Sequence, residues 1–209
     1  MPGGRPRTFD EDEALERAVE VFWRQGYEGT SITDLTTAMG VNKPSLYSVF
    51  GGKADLFRRV IAHYAEHDMA YAAAALAEPT ALLVVQRFLR ANVVAVTLED
   101  KPNGCLSIQG GVSCSAENQD VAQFLAASRL GGEKAFADRF RVAIAEGDLP
   151  ADADPDALAR FLMVVSEGHA VHAAAGVPRE ALQQSAAIAE QAFRAMTTQP
   201  HSQRAESIG

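Results

Sequence analysis

The sequence predicts an all-α protein, with a small N-terminal unit of three helices and a larger helical domain behind it. Helix start signals and helix-ending glycines recur along the whole chain, whereas strand signals are rare. Between these signals, apolar residues repeat at intervals of three and four, the period of an amphipathic helix. Because 47% of the 209 residues are hydrophobic, the chain can bury a substantial core. We expect domains over residues 1–55 and 56–198, with a disordered tail over 199–209.

Two helices are marked by caps at their starts and glycines at their ends. Asp10 has Glu13 three residues later, which is capping-box spacing, and Gly26 provides the stop. Ser31 with Asp34 repeats the start signal, and a second helix ends at Gly40. The predicted buried sides are Leu15, Ala18, Val19 and Phe22 in the first helix and Leu35, Ala38 and Met39 in the second.

A third, short helix is predicted over 43–50, within the segment GVNKPSLYSVFGGK at 40–53. Asn42 is a good N-cap, and Pro44 in the first turn lacks only an N–H that the helix does not need. Leu46, Val49 and Phe50 should face inward, which leaves Lys43, Ser45, Tyr47 and Ser48 on the outer face. Two short helices joined by a glycine turn form a helix-turn-helix, whose second helix enters the DNA major groove.

The run from 22 to 57, FWRQGYEGTSITDLTTAMGVNKPSLYSVFGGKADLF, resembles the DNA-binding domain of the tetracycline-repressor (TetR) family. The remaining chain resembles that family more loosely, in helical content, in length and in an NGCL segment at 103–106. The resemblance implies that Lys43, Pro44, Ser45 and Tyr47 face DNA. It further implies phosphate contacts from Ser31, Tyr47 and Lys53 and a base or backbone contact from Thr33. The alternative for Tyr47 is a half-buried core aromatic.

The chemistry of these side chains is compatible with the implied roles. Ser31 at a helix N-terminus offers a hydroxyl and free N–H groups to a phosphate. Lys53 opens the next helix, where it can lie beside the DNA backbone. Lys43 can donate to guanine, and Pro44 or the ring of Tyr47 can touch a thymine methyl group. Few residues would therefore read the base sequence.

The rest of the chain is predicted to be helical. We expect helices over 53–77, near 80–98, around 105–109, over 116–146, after the Asp154-Pro155 pair and after the Val177-Pro178 pair. Gly131 and Gly132 fall inside the fourth of these, over 116–146, where we expect a kink or a break.

The last two helices each carry a stripe that predicts contact with another protomer. The stripes are Leu158, Phe161, Val165, Gly168 and His172, and then Leu182, Ser185, Ala189, Ala192 and Met196. Two chains could join these helices into a four-helix bundle. A two-fold axis would also place two reading helices about one DNA turn apart, so we expect a homodimer.

A small-molecule effector site is predicted between the long helices of the second domain, because several of them are apolar on more than one face. The expected lining residues are Phe88, Cys105, Phe124, Phe161, Val165 and His169. Glu167, His169 and His172 can alternatively belong to the dimer contact or the surface. Cys105 and Cys114 are either small hydrophobic residues or a thiol sensor.

Composition restricts the other classes of function. The net charge of −8 opposes non-specific nucleic-acid binding, yet residues 1–60 hold 8 of 19 basic and 9 of 27 acidic side chains, so the acidity lies mainly beyond residue 60. No apolar stretch approaches the roughly 18 residues of a membrane span, and no secretory signal is evident, so we expect a cytoplasmic protein. His63 and His67 have helical i, i+4 spacing but no zinc signature, and we expect neither metal nor cofactor.

The sequence therefore predicts a transcriptional regulator, a repressor that a small molecule releases from a palindromic operator. A thiol-based redox or electrophile sensor that uses Cys105 is one alternative. A cysteine-dependent enzyme with a histidine base, or an interaction module that no longer binds DNA, are the others. We expect no enzymatic activity, because no motif places a nucleophile beside a base.

Overall fold

The computed structural model describes residues 10–110 and 115–198. Within these residues the chain forms ten α-helices, one 3-10 turn and no β-strand, which confirms the all-α prediction. None of the helices there is long and apolar enough to span a bilayer. The helices are α1 (Glu11–Gly29), α2 (Ile32–Met39), α3 (Lys43–Phe50), α4 (Lys53–His67), α5 (Ala70–Leu76), α6 (Ala81–Ala95), α7 (Leu106–Gln109), α8 (Gln119–Ala145), α9 (Pro155–Ala174) and α10 (Arg179–Thr198).

The three N-terminal helices begin where the caps predicted, but α1 continues beyond the predicted stop at Gly26. The Asp10 carboxylate accepts hydrogen bonds from the amides of Asp12 and Glu13 at the start of α1. The backbone leaves helical geometry at Gly26, whose φ of +69° favours glycine. The next turn of α1 ends at Gly29, and Gly40 terminates α2 in the left-handed conformation.

The prediction of one helix over 53–77 is wrong, because the chain breaks between α4 and α5. The amides of Asp68 and Met69 both donate to the carbonyl oxygen of Tyr64, at 2.9 and 3.1 Å, so the regular ladder ends there. The carboxylate of Asp68 also pairs with Lys101, which lies in the loop after α6. The break thus lies beside a contact that joins residues distant in sequence.

The predicted interruption at Gly131 and Gly132 is absent, because α8 continues through both residues as one helix of 27 residues. A Cβ atom on Gly131 would meet nothing within 4 Å, and one on Gly132 would lie 3.8 Å from the Met163 side chain of α9. Neither glycine is therefore needed for space, and α8 stays helical through both residues where it packs along α9.

The core runs continuously from α1 to α10, and it corrects the predicted dimer stripes. Leu158, Leu182 and Ala189 are buried inside the protomer, so the prediction that they face a partner is wrong for these three. The outward apolar side chains of α9 and α10 are instead Val164, Val171 and Ile188. The predicted stripes were displaced around the helix axes because sequence spacing does not show which side of a helix its own chain covers.

Replacement of Gly131 by alanine tests the continuity of α8. Glycine in the middle of a helix costs about 0.5–1 kcal/mol relative to alanine, and the site has room for a methyl group. Gly131→Ala should therefore raise the free energy of unfolding by about this amount in urea denaturation. Gly40→Ala is the matched control, and it should lower stability because φ is +69° there. A loss of stability in Gly131→Ala would show that α8 bends at this residue.

Candidate functional site

The outer face of α3 is polar and accessible, as the sequence predicted. Leu46 and Phe50 are buried beneath it, whereas Lys43 and Pro44 are exposed and the Tyr47 side chain is 51% exposed. Exposure to this extent excludes the reading of Tyr47 as a half-buried core residue. Ser45 is half-buried, and its amide donates to the Asn42 side chain at 2.8 Å, which completes the N-cap. We call this helix the reading helix.

Ser31 and Asp34 form a capping box that holds the start of α2. The Asp34 amide donates to Ser31 Oγ at 3.1 Å, and the Ser31 amide and hydroxyl both donate to the Asp34 carboxylate, at 2.9 and 2.6 Å. These hydrogen bonds lower the pKa of Asp34, and the one from the Ser31 side chain has the largest effect. A phosphate at Ser31 would therefore compete with this carboxylate. Thr33, two residues after Ser31, is exposed.

The basic residues near the reading helix are unequally available. Arg58 pairs with Asp55 and Asp120, and Arg59 pairs with Glu11, so neither presents a free charge. Lys53 is half-buried at the start of α4, with its Nζ 4.3 Å from the centre of the Tyr27 ring. Within the described part of the chain, Lys43 is an exposed cation without a hydrogen bond or an ion pair.

A cleft between α1, the end of α4 and the loop at 100–102 carries the opposite charge. Its lining includes Asp10, Asp12, Glu13, Glu16, Glu20, Asp68 and Asp100, together with His63 and His67. The two imidazoles stack with their ring centres 4.1 Å apart. The described residues contain no group of three or more His, Cys, Asp or Glu side chains arranged to hold a metal ion. Phosphate repulsion makes this surface unsuitable for DNA.

A largely apolar cavity of about 80 Å³ lies in the second domain among α4–α9. Its apolar and aromatic wall includes Ile61, Tyr64, Met69, Tyr71, Phe88, Ile108, Met163 and Ala170. Its polar wall consists of Asn92, Cys105, Ser107, Ser128, Arg129, Ser166 and Glu167. An apolar space with a few convergent polar groups is the usual form of a small-molecule site.

Two of the six predicted effector residues, Phe88 and Cys105, line this cavity. The other four lie outside its lining. Phe124, Phe161 and Val165 are half-buried and pack against the core, while His169 is buried behind Asn92. Cys105 is a buried free thiol whose sulfur lies 3.4 Å from Tyr64 Oη and 3.0 Å from Ser107 Oγ. Cys114 lies outside the described residues.

Sequence reasoning missed the cavity residues Tyr64, Tyr71, Asn92 and Arg129. Asn92 had a detectable signal, because an amide in the apolar middle of α6 must find partners if it is buried. The hydroxyl group of Tyr64 donates a hydrogen bond to Cys105, a contact between residues distant in sequence that helical spacing does not reveal. Glu167 was left open between surface and pocket, and the structure places it in the cavity wall.

Helix α7 connects the cavity to the N-terminal helices. Cys105, Ser107 and Ile108 line the cavity, and the carbonyl oxygen of Gly110, immediately after α7, accepts a hydrogen bond of 2.8 Å from the Tyr27 amide of α1. Glu28 accepts from the Ser115 amide at 2.7 Å and from the Asn118 side chain at 3.0 Å. A displacement of α7 would therefore shift the end of α1, next to the turn that leads into α2.

The exposed faces of α9 and α10 are unusually apolar. Val164, Val171 and Ile188 are 63%, 54% and 68% exposed, on helices that also pack against each other. Val164, Gly168 and Val171 lie at spacings of four and three residues, which places them on one side of α9. An apolar surface shared by two packed helices is suited to contact another protein.

His169 is held in the core by one hydrogen bond from each side. Its Nδ1 lies 3.1 Å from Asn92 Oδ1, and its Nε2 lies 3.1 Å from Ser185 Oγ of α10. Burial, with a smaller effect of His172, lowers the pKa of His169. The neutral ring therefore stabilises the fold above the unfolded pKa of about 6.5, and this contribution is lost as the pH falls through the folded pKa.

Replacement of His169 by glutamine tests this dependence. Glutamine keeps hydrogen-bonding capacity but does not titrate, so the wild type should lose more stability than His169→Gln between about pH 7 and pH 5. The free energies of unfolding can be measured in urea at several pH values. Parallel curves for the two proteins would show that His169 has the same proton affinity in the folded and unfolded chains.

Comparison with known proteins gives two family matches. Residues 14–60 match the model described as "Bacterial regulatory proteins, tetR family", and residues 85–196 match "Tetracyclin repressor-like, C-terminal domain". The HTH-type transcriptional repressor ComR of Escherichia coli (strain K12) is 33% identical over 185 residues, which are 88% of each chain. The transcriptional regulator AcuR of Cereibacter sphaeroides is 31% identical over 173 residues, 80% of this chain and 78% of its own.

Among solved structures, a cysteine-substituted form of the TetR family transcriptional regulator CifR, complexed with 26 bp double-strand operator DNA, is 42% identical. The match has a TM-score of 0.85 and covers 91% of this chain and 99% of the CifR chain. Sequence and fold agree over both the helix-turn-helix unit and the helical domain behind it. The chain therefore belongs to the TetR family of bacterial regulatory proteins.

Proposed function

We propose that this protein is a homodimeric transcriptional repressor in the cytoplasm, which leaves a palindromic operator when a small molecule occupies the cavity. The observation that carries the proposal is the shared position of α7. One side of this short helix lines the cavity, and the residue after it is hydrogen-bonded to α1 of the helix-turn-helix unit. Its relatives ComR and CifR, named as transcriptional regulators, support the DNA-binding half of the proposal.

DNA recognition is assigned to the reading helix and its surroundings. Lys43, Pro44 and Tyr47 are the exposed side chains that can reach base edges or the adjacent backbone, with Ser45 in support. Lys53 and Ser31 are assigned to phosphates and Thr33 to a base or backbone contact. At Ser31 the phosphate would bind the helix N-terminus by displacing the Asp34 carboxylate from its amide.

Release of the operator requires that the effector distinguish two arrangements of the dimer. A ligand that favours the DNA-free arrangement by about 2.7 kcal/mol would weaken operator binding roughly 100-fold. Occupation of the cavity would move Cys105 and Ile108, and the bond between Gly110 and Tyr27 would carry this movement into α1. The reading helices of two protomers would then lose the spacing that the operator demands.

A thiol sensor is the second candidate, because Cys105 lines the same cavity and contacts two hydroxyl groups. In that case, Cys105→Ser would abolish the response to electrophiles or oxidants, while small unreactive apolar molecules would have no effect on the wild type. For a cysteine-dependent enzyme the geometry is less favourable. The hydrogen-bond partners of the sulfur are Tyr64 and Ser107, and neither is the histidine base that such chemistry uses.

The function is tested by footprinting the purified protein on the DNA that flanks its own gene. A palindromic protected site is expected, with half-sites one helical turn or a multiple apart and with affinity that falls steeply with salt. Binding without a protected palindrome, or without dependence on salt, would contradict the proposal.

Substitutions in the reading helix should weaken this binding selectively. Lys43→Ala or Tyr47→Ala should cost about 1–3 kcal/mol of operator affinity in fluorescence anisotropy, because each removes a base or backbone contact but no core packing. Lys134→Ala is the charge-matched control, since this exposed lysine lies on α8. The assignment fails if both reading-helix variants bind the operator as tightly as this control.

Charge on the exposed face of α10 should separate the protomers. Ile188→Asp would bury an unpaired carboxylate between two helical faces, which costs several kcal/mol, so sedimentation should show a monomer with little operator affinity. Leu83→Asp is the control, because Leu83 is an exposed side chain of a different helix, α6. An intact Ile188→Asp dimer would place the interface elsewhere on the surface.

A further inference from the structure

Behind the cavity, four polar side chains form a hydrogen-bonded chain with a defined direction. Ser185 Oγ lies 3.1 Å from His169 Nε2, His169 Nδ1 lies 3.1 Å from Asn92 Oδ1, and Asn92 Nδ2 donates to Tyr71 Oη at 3.2 Å. The amide oxygen can only accept, so Nδ1 of His169 carries the hydrogen and Nε2 of the neutral ring accepts from Ser185. Likewise the amide nitrogen can only donate, so the Tyr71 oxygen is an acceptor here.

The Tyr71 hydroxyl hydrogen is consequently left without an acceptor among residues 10–110 and 115–198, although Tyr71 lines the cavity. The other buried or half-buried hydroxyl groups of the wall are already engaged. They are those of Tyr64, which donates to Cys105, of Ser107, beside the sulfurs of Cys105 and Met69, and of Ser166, which donates to the Met163 carbonyl. The cavity therefore offers a donor at Tyr71 that its own wall does not satisfy.

Tyr71 keeps its proton across the physiological range. Burial raises the pKa of Tyr71 to about 12, against an opposing effect of the hydrogen bond from Asn92. The second hydrogen of the Asn92 amide, in the same wall, also has no acceptor within the described ranges. Both groups that face an occupant at this end of the cavity are thus donors, and they require an acceptor from it.

The charged residues of the wall favour an uncharged occupant. Arg129 and Glu167 both line the cavity and carry opposite charges, so the two offset each other and the wall has no net attraction for a cation or an anion. Arg129 also donates to the Ser107 carbonyl oxygen at 3.2 Å. Burial raises the pKa of Glu167, and the nearby Arg129 opposes this rise. An occupant of the cavity would therefore meet the charges of Arg129 and Glu167 together.

The volume limits the occupant to a compact molecule. A space of about 80 Å³ accommodates on the order of three or four non-hydrogen atoms, because a cavity of roughly 150 Å³ is filled by benzene. Most of the wall is aromatic or aliphatic, so most of the occupant must be apolar as well.

We propose that the effector is a compact, uncharged, mainly apolar molecule with one hydrogen-bond-accepting oxygen, and that Tyr71 determines this specificity by donating its hydroxyl hydrogen to that oxygen. The chemical class of the bound molecule does not depend on the proposed function, and only its role as an effector rests on that function. The hydrogen bonds that link Ser185, His169, Asn92 and Tyr71 would hold the Tyr71 hydroxyl group in one orientation.

Acetone and 2-methylpropene are a matched pair of probes, since they share size and shape and differ in the accepting oxygen. Their affinities can be measured by ligand-observed NMR titration of the full-length wild type, Tyr71→Phe and Ala170→Leu. Acetone should bind the wild type more tightly, and its advantage over 2-methylpropene should fall about fivefold to tenfold in Tyr71→Phe. Ala170→Leu, which fills the cavity, should weaken both probes.

Tighter binding of 2-methylpropene than of acetone to the wild type would overturn the inference. The same holds if Tyr71→Phe, shown to be folded by circular dichroism, keeps the wild-type preference, or if isopropylammonium binds more tightly than acetone. Operator release by the same probes is measured separately, by anisotropy. Selective binding of acetone without any release would sustain the chemical class and contradict the effector role instead.

Discussion

The structure depends on how the segment from Gly104 to Gly110 is clamped between the two parts of the molecule. At one end the Gly104 amide donates to the Val96 carbonyl at the end of α6, at 2.8 Å. At the other end the Gly110 carbonyl accepts from the Tyr27 amide, also at 2.8 Å. Gly104 has a φ of +101°, and a side chain there would collide with Gln109, whose Oε1 accepts from the Cys105 amide. Only glycine permits the segment to begin this way.

This clamp explains why the cavity and the helix-turn-helix unit form one mechanical system. The segment packs beside an aromatic cluster in which Phe57 contacts Phe22 and Tyr27, with ring centres 4.8 and 5.2 Å apart. Lys53, at the start of α4, lies over Tyr27 in the same cluster. Close-packed interiors transmit small displacements rather than absorbing them. A change in the cavity wall therefore reaches α1, and through it α2 and α4, the helices that contact the reading helix.

The sequence predicted local features well because they depend on neighbouring residues. Asp10, Ser31, Asn42 and Asp154 cap helices where expected, since a cap acts within one turn. The break at Asp68 lies beside its ion pair with Lys101, and α8 runs unbroken through Gly131 and Gly132 where it packs along α9. Such features require tertiary contacts, which no local pattern contains.

The site was predictable to a similar extent. The exposed face of the reading helix follows from helical spacing alone. The cavity lining does not, because it depends on which helices meet, and four of the six expected residues lie outside it. The same cause displaced the dimer stripes: Leu182 and Ala189 have the spacing of an interface but pack inside their own chain.

The central claim is that the segment ending at Gly110 couples the cavity to DNA, and the operator affinity of Gly110→Ala tests it most directly. A Cβ atom at this position would lie 2.6 Å from the Leu106 carbonyl oxygen and 3.3 Å from the Phe57 ring, so the segment must shift. Gly29→Ala, which meets only an ordinary contact at 3.6 Å, is the control. We predict that folded, dimeric Gly110→Ala binds the operator about tenfold or more weakly, as though an effector were present. Operator affinity equal to that of Gly29→Ala would contradict the claim.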